Sequence, residues 1–178
     1  FGNFKIKIMN AEKKFLYKKN FLIYGFGKSG FASYEYLNNK NNCKIIDDNQ
    51  KNVNRKFTKN TLSFFQLKRH YFDYIVLSPG IDINKCKLSK YLKKNKSKII
   101  TDLDIFYLKN PNIKKITITG TNGKSTTSKL IFDVLKEHKK DVRLTGNIGN
   151  PILSERKIKK NTIFIIEASS YQLDYSKF

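Results

Sequence analysis

The chain has 178 residues, enough for one large domain or two small ones, and its 39% hydrophobic share can build a core and excludes a disordered tail. Its longest apolar stretches, such as Ile163-Phe164-Ile165-Ile166, have the length of a buried strand, and none approaches what a membrane span needs. The formal net charge of +22 raises the question of nucleic-acid binding. However, the lysines are spread along the whole chain among abundant Asn and Ile, the residues AT-rich codons supply, and no Arg-rich or aromatic-interleaved cluster marks a nucleic-acid motif. The charge reads as compositional bias, on a surface that would still attract nucleotides and anionic sugars.

In chain order, residues 1–20 alternate Lys with apolar residues and lack the apolar core and cleavage site of a signal peptide. The first residue is Phe1 and not Met, so the natural start is expected to be missing or cut away. Phe21-Leu22-Ile23-Tyr24 reads as a buried strand stopping at Gly25, and Phe31, Tyr34 and Leu37 recur at helical spacing after the glycines. Cys43-Lys44-Ile45-Ile46 is a second strand ending at Asp47, so the unit is βαβ and the sheet parallel. Tyr74-Ile75-Val76-Leu77 is a third strand, broken by Ser78-Pro79-Gly80. A helix over Leu88 to Lys94, a short strand Lys98-Ile99-Ile100, and a helix from Asp102 with Leu103, Phe106 and Tyr107 on one side follow. Asn110-Pro111-Asn112 is the clearest break and sets a domain boundary between residues 1–110 and 111–178. The pattern then restarts: a strand from Ile113 to Thr119, a glycine loop, a helix carrying Leu130, Ile131, Val134 and Leu135, and strands around Val142-Arg143-Leu144 and Thr162 to Ile166. The fold class is α/β. A Rossmann-like parallel-sheet N-terminal domain precedes a P-loop NTPase-like α/β central domain that has too few elements and reads as truncated. Cys43 and Cys86, with no C-x-x-C spacing, read as reduced thiols of a cytoplasmic protein. His70 and His138 have no partner at metal or triad spacing and are assigned no catalytic role.

Four motifs carry chemistry. Gly120-Thr121-Asn122-Gly123-Lys124-Ser125 lies between a strand and a helix, where backbone N–H groups and the helix dipole can face phosphate oxygens. Lys124 would reach the β- and γ-phosphates of ATP and the Ser125 hydroxyl would sit on Mg²⁺. The match to the Walker pattern is partial, since Ile118 stands where its first Gly belongs. Gly25-Phe26-Gly27-Lys28-Ser29-Gly30 follows a strand, and Asp47 follows about twenty residues on, the spacing of a dinucleotide site whose carboxylate takes a ribose hydroxyl. A bare βα turn is the alternative, and beside a P-loop a nucleotide-type ligand without hydride transfer fits better. Ser78-Pro79-Gly80 closes a strand where open parallel sheets bind ligands, although from local sequence alone an ordinary Pro-Gly turn is the stronger reading. Glu167, also at a strand end, is suited to help hold Mg²⁺ near phosphates, against the alternative of a solvated carboxylate.

Together these residues resemble the Mur ligase family. Thr119-Gly120-Thr121-Asn122-Gly123-Lys124-Ser125-Thr126 is similar to its T-G-T-N-G-K-S/T-T loop, which tolerates an apolar residue at the Ile118 position. Gly146-Asn147-Ile148-Gly149 is similar to its G-N-I-G segment, and Glu167 to Leu173 to the E-x-S-S-F/Y-Q-L of its D-glutamate-adding branch. The resemblance covers about Phe21 to Phe178 and implies three domains, of which this chain holds the first and the opening of the second. It implies ATP-dependent joining of D-glutamate to UDP-N-acetylmuramoyl-L-alanine through an acyl phosphate in peptidoglycan precursor synthesis, by a monomer without nucleic-acid or membrane partners. The piece alone is expected to be inactive. The alternatives are another Mur-type or folylpolyglutamate-type amide ligase, or a non-catalytic UDP-sugar-binding fragment. By resemblance Gly120, Thr121, Asn122, Gly123, Lys124, Ser125 and Thr126 bind ATP, with Lys124 and Glu167 catalytic and Ser125 and Glu167 on Mg²⁺. Asn147 and Ser169 contact the muramoyl-alanine end, and Lys28, Ser29, Asp47, Asp48, Ser78 and Gly80 surround UDP. Lys28 departs from the apolar residue often found there, which leaves it a backbone contact.

Overall fold

The computed structural model describes residues 15–49 and 53–177. Residues 1–14, on which much of the signal-peptide reading rests, lie outside them. Seven strands among the described residues form two parallel sheets. The first has the order β2-β1-β3-β4, from β1 (Asn20–Tyr24), β2 (Asn42–Ile46), β3 (Tyr74–Leu77) and β4 (Ile99–Ile100). The second has the order β5-β7-β6, from β5 (Lys114–Ile118), β6 (Val142–Gly146) and β7 (Ile163–Glu167). The helices are α1 (Lys28–Leu37), α2 (Ser89–Lys94), α3 (Asp102–Lys109), α4 (Lys124–Glu137) and α5 (Ser170–Tyr175).

The first sheet is covered on both faces, which is why its strands read as unbroken apolar runs. Alternation sorts them. Phe21, Ile23, Cys43, Ile45, Val76 and Ile100 pack on one face with Leu37 of α1 and Leu103 and Phe106 of α3. Leu22, Tyr24, Ile46, Ile75, Leu77 and Ile99 pack on the other with Leu67, Phe72 and Leu92. The first of these cores does not stop at the Asn110-Pro111-Asn112 break. It runs on through Ile152, Leu153, Phe164, Ile166 and Ala168, so the two sheets share apolar packing. The Tyr107 hydroxyl and Thr117 Oγ1, 2.8 Å apart, add a polar tie between α3 and β5.

Buried Cys43 has its thiol pushed up to about 12 by desolvation, and Cys86 is half-buried. At pH 8 an alkylating reagent is expected to label Cys86 and to spare Cys43 until urea is added. Mass spectrometry of the labelled peptides checks this, and rapid native labelling of Cys43 would contradict it.

The helix after the glycine loop forms where its spacing predicts. Its period is right, but Leu130 is 63% and Val134 45% exposed, Ile131 and Leu135 are half-buried, and Ser128 is its one buried residue. Ile116 of β5, an edge strand, is 41% exposed as well. Among the described residues nothing lies over this side, so an apolar residue at the correct spacing stays uncovered. Phe31 likewise stands on the outer side of α1 and packs edge-on against Phe26 and Phe57 instead of entering the sheet core. The elements read from the sequence fall within a residue or two of their expected bounds, while α5 (Ser170–Tyr175) was not among them. The 3₁₀ turns at Arg55–Asn60, Gln66–Arg69 and Ile152–Ser154 are additions, short pieces with no clear periodic signal.

Candidate functional site

Parallel strands bring every carboxyl end to one rim. On the first sheet that rim carries Gly25 after β1, Asp47 after β2, Ser78 after β3 and Thr101 after β4. Backbone bonds draw them together: Gly25 N–H donates to Ile46 O at 2.9 Å and Ser78 N–H to Tyr24 O at 3.0 Å. The Ser78 hydroxyl donates to Gly25 O at 2.8 Å, so the serine of Ser78-Pro79-Gly80 braces the first glycine loop. Asp47 does the same from the other side. Its carboxylate accepts from Phe26 N–H at 2.5 Å and from Asn49 N–H at 2.8 Å, so it clamps the loop it was expected to serve through a ribose contact. Asp48 accepts from the Tyr24 hydroxyl at 2.6 Å and from Lys87 N–H at 3.3 Å. Burial of Tyr24, and the acceptor beside it, push its hydroxyl above the ordinary tyrosine range.

The second sheet's rim brings three motifs to adjacent strand ends. In register, Ile118 and Gly146 both lie opposite Glu167. Ala168 N–H donates to Ile118 O at 3.0 Å and Asn147 N–H to Glu167 O at 2.9 Å. The loop over 119–123, Gly146-Asn147-Ile148-Gly149 and the start of Glu167 to Leu173 are therefore neighbours. Gly123 caps α4 with φ +76°, a left-handed conformation that suits glycine, and no side chain caps the helix, which leaves first-turn N–H groups for an anion. Lys124 Nζ turns back over the loop and donates to Gly120 O at 2.7 Å and Thr121 O at 3.2 Å. Glu167 is buried, and its Oε2 has no hydrogen-bond partner among the described residues. A buried carboxylate oxygen without a donor suits a cation, and the Ser125 hydroxyl begins the helix on the neighbouring strand. No group of three or more His, Cys, Asp or Glu that could hold a metal occurs among the described residues. One carboxylate and one hydroxyl match the sparse protein ligation of Mg²⁺ held mainly through phosphates and water.

Between the two rims lies a cleft of about 900 Å³. Lys28, Ser29, Asp47, Asp48, Ser78 and Gly80 line it from the first sheet, and Asn147 lines it from the second. Seven of the eight expected substrate residues thus share one cavity, within the 300–1,000 Å³ usual for small-molecule sites. The eighth, Ser169, does not line it. Its hydroxyl accepts from Gln172 N–H at 3.2 Å and caps α5, and the Gln172 side chain returns to Ser169 N–H at 3.0 Å, a capping box. The Gly120–Thr126 loop lies outside the cleft lining as well.

Asp102 was missed. It is fully buried at the start of α3, and its carboxylate accepts from Ser29 Oγ at 2.6 Å, Gln172 Nε2 at 3.3 Å and Leu103 N–H at 3.0 Å. Burial pushes its carboxyl above the usual carboxylate range, and these donors pull against that rise. Asp104, at the third helical position, accepts from Thr101 N–H at 2.7 Å in a second capping box, and from Ser176 Oγ at 2.6 Å and Lys177 N–H at 2.7 Å. The T-x-x-D and S-x-x-Q spacings were legible signals for both caps. Nothing local points to the long-range bonds.

Residues 118–178 match the family described as the Mur ligase middle domain. Curated relatives named UDP-N-acetylmuramoylalanine–D-glutamate ligase align with nearly the whole chain. The protein of Rickettsia bellii is 38% identical over 90% of the chain, that of Rickettsia prowazekii 38% over 95%, and that of Wolbachia pipientis 34% over 88%. The chain spans 36%, 37% and 31% of those three relatives, about a third of their length.

Proposed function

Because the chain belongs to the Mur ligase family, we propose that it forms the UDP-substrate domain (residues 1–110) and the opening of the ATP-binding domain (residues 111–178) of a ligase joining D-glutamate to UDP-N-acetylmuramoyl-L-alanine. The observation that carries the proposal is the cleft, which Gly25, Gly27, Lys28, Ser29 and Ser78–Gly80 of the first sheet face from one side and Gly146–Gly149 of the second from the other. A substrate with a nucleotide at one end and a carboxylate at the other needs a site of this kind, with nucleotide contacts on one rim and the phosphate-binding rim at the far end.

The chemistry follows from the poor electrophilicity of a carboxylate. A substrate carboxylate oxygen attacks the γ-phosphorus of ATP and ADP leaves. The D-glutamate amine then attacks the acyl phosphate, phosphate departs with its bonding pair, and the amine loses a proton. In this proposal the N–H groups at the start of α4 and Lys124 hold the β- and γ-phosphates. Asn147 positions the muramoyl-alanine end. Lys28, Ser29 and the first-turn N–H groups of α1, which has no side-chain cap, receive the diphosphate of UDP. Asp47 acts by holding the loop that makes those contacts. Ser125 and Glu167 would hold Mg²⁺, which when bound neutralises phosphate charge.

Phosphate release by the full-length protein tests this. It is expected to require ATP, UDP-N-acetylmuramoyl-L-alanine and D-glutamate together. Release supported by another amino acid in place of D-glutamate would reassign the branch, and release independent of the UDP substrate would refute the reading.

A further inference from the structure

We propose that Asp102 is a positioning residue that couples the UDP-binding loop to the Glu167–Gln172 turn, so that a nucleoside diphosphate in the cleft orders the phosphate-binding rim of the second sheet. The proposal rests on the reading of the cleft as a UDP site. It is carried by one continuous hydrogen-bonded chain. Ser29 lines the cleft, and its hydroxyl donates to one oxygen of Asp102. The other oxygen takes the Gln172 amide. The far end of that amide takes Ser169 N–H, two residues after Glu167. Three elements distant in sequence, α1, α3 and α5, are thus joined through a buried carboxylate.

The pieces have little freedom to move separately. The Gln172 side chain donates to Asp102 and accepts from Ser169, so turning its amide over would set donor against donor at Ser169 and leave Asp102 short of a bond. Asp104 holds the other end of α5 through Ser176 and Lys177. A diphosphate seated on the N–H groups at the start of α1 would restrain Ser29, and the restraint reaches the turn through bonds to a buried charge, the strongest of the ordinary hydrogen bonds. By linkage, ordering of the turn would raise affinity for UDP by the same factor.

Hydrogen exchange of the full-length protein with and without saturating UDP tests the coupling. In the wild type, UDP is expected to slow exchange in the Gly25–Gly30 loop and about fivefold or more over Ala168–Leu173. In Gln172→Met the first effect should remain and the UDP-dependence of the second should vanish. Asp102→Ala should behave likewise. Asp102→Asn, which still accepts from Gln172 and can donate to the Ser29 hydroxyl, should recover part of the coupling. A purely structural role would change exchange equally with and without UDP. Slowing confined to Gly25–Gly30 in the wild type, or undiminished coupling in Gln172→Met, would overturn the proposal. Slowing in neither segment would refute the UDP reading of the cleft, and the coupling would fall with it.

Discussion

Lys124→Ala in the full-length protein is expected to slow acyl-phosphate formation by about a hundredfold to a thousandfold and to leave UDP affinity unchanged. The ammonium donates to Gly120 O and Thr121 O, and so already lies over the loop that faces the phosphates in the proposed site. As the γ-phosphoryl group moves, negative charge grows on the bridging and equatorial oxygens. A cation held beside them stabilises the transition state more than the ground state, and removing one such preorganised donor costs on the order of 3–4 kcal/mol of barrier. Lys124 exchanges two carbonyl acceptors for phosphate oxygens, so its reorganisation is local. UDP is expected to bind a cleft whose lining does not include Lys124. Single-turnover phosphate release and calorimetric titration of UDP measure the two quantities. Near-normal turnover would show that the Gly120–Ser125 loop is not the ATP site. A loss mainly of UDP affinity would show that the two nucleotide sites are assigned the wrong way round.

What the sequence revealed divides by the range of the interaction. The strands of the first sheet were legible because burial on both faces makes an uninterrupted apolar run, and β1, β2 and β3 begin or end within a residue of the runs that marked them. The glycine loops were legible because a parallel sheet sends every strand end to one rim, so a glycine-rich stretch after a strand lands where ligands bind. The cleft residues followed from that geometry together with family resemblance. Asp102 was not legible, because a carboxylate at the first position of a helix is an ordinary solvated group unless something covers it. Its partners lie 73 and 70 residues away. Ser169 shows the converse: its motif resemblance suggested a ligand contact, while the S-x-x-Q spacing within the same motif encoded the cap that occupies its hydroxyl. Leu130 and Val134, exposed on a helix that the spacing did predict, mark a third limit. Helical period states which residues share a face, but not whether that face is covered.

Two glycines of the first loop are expected to separate folding from binding. Gly30 lies in the first turn of α1, and a methyl group there would fall on the Gly25 carbonyl oxygen and within 3.0 Å of Ser78 Oγ. Both obstacles belong to the braced rim: Gly25 is bonded to Ile46 and Ser78, and the Ser78 backbone to Tyr24. Neither can yield as a flexible side chain would, so α1 must move off the sheet that it packs against through Leu37 and Ala32. Overpacking of this kind costs about 3 kcal/mol. Gly27 differs. It caps the same helix with φ −71°, which any residue adopts, and a methyl group there meets nothing within 4 Å. Gly27→Ala should therefore keep its stability within about 1 kcal/mol, the scale of a lost favourable N-cap. Gly27 lines the cleft, where in the proposed site a diphosphate must approach backbone N–H groups closely. UDP affinity is expected to fall by about tenfold or more, ~1.4 kcal/mol. Urea unfolding and UDP titration of both variants measure the split. A Gly30→Ala chain as stable as the wild type would mean that α1 does not seat against Gly25. A Gly27→Ala chain that binds UDP normally would mean that the diphosphate lies elsewhere than on the start of α1.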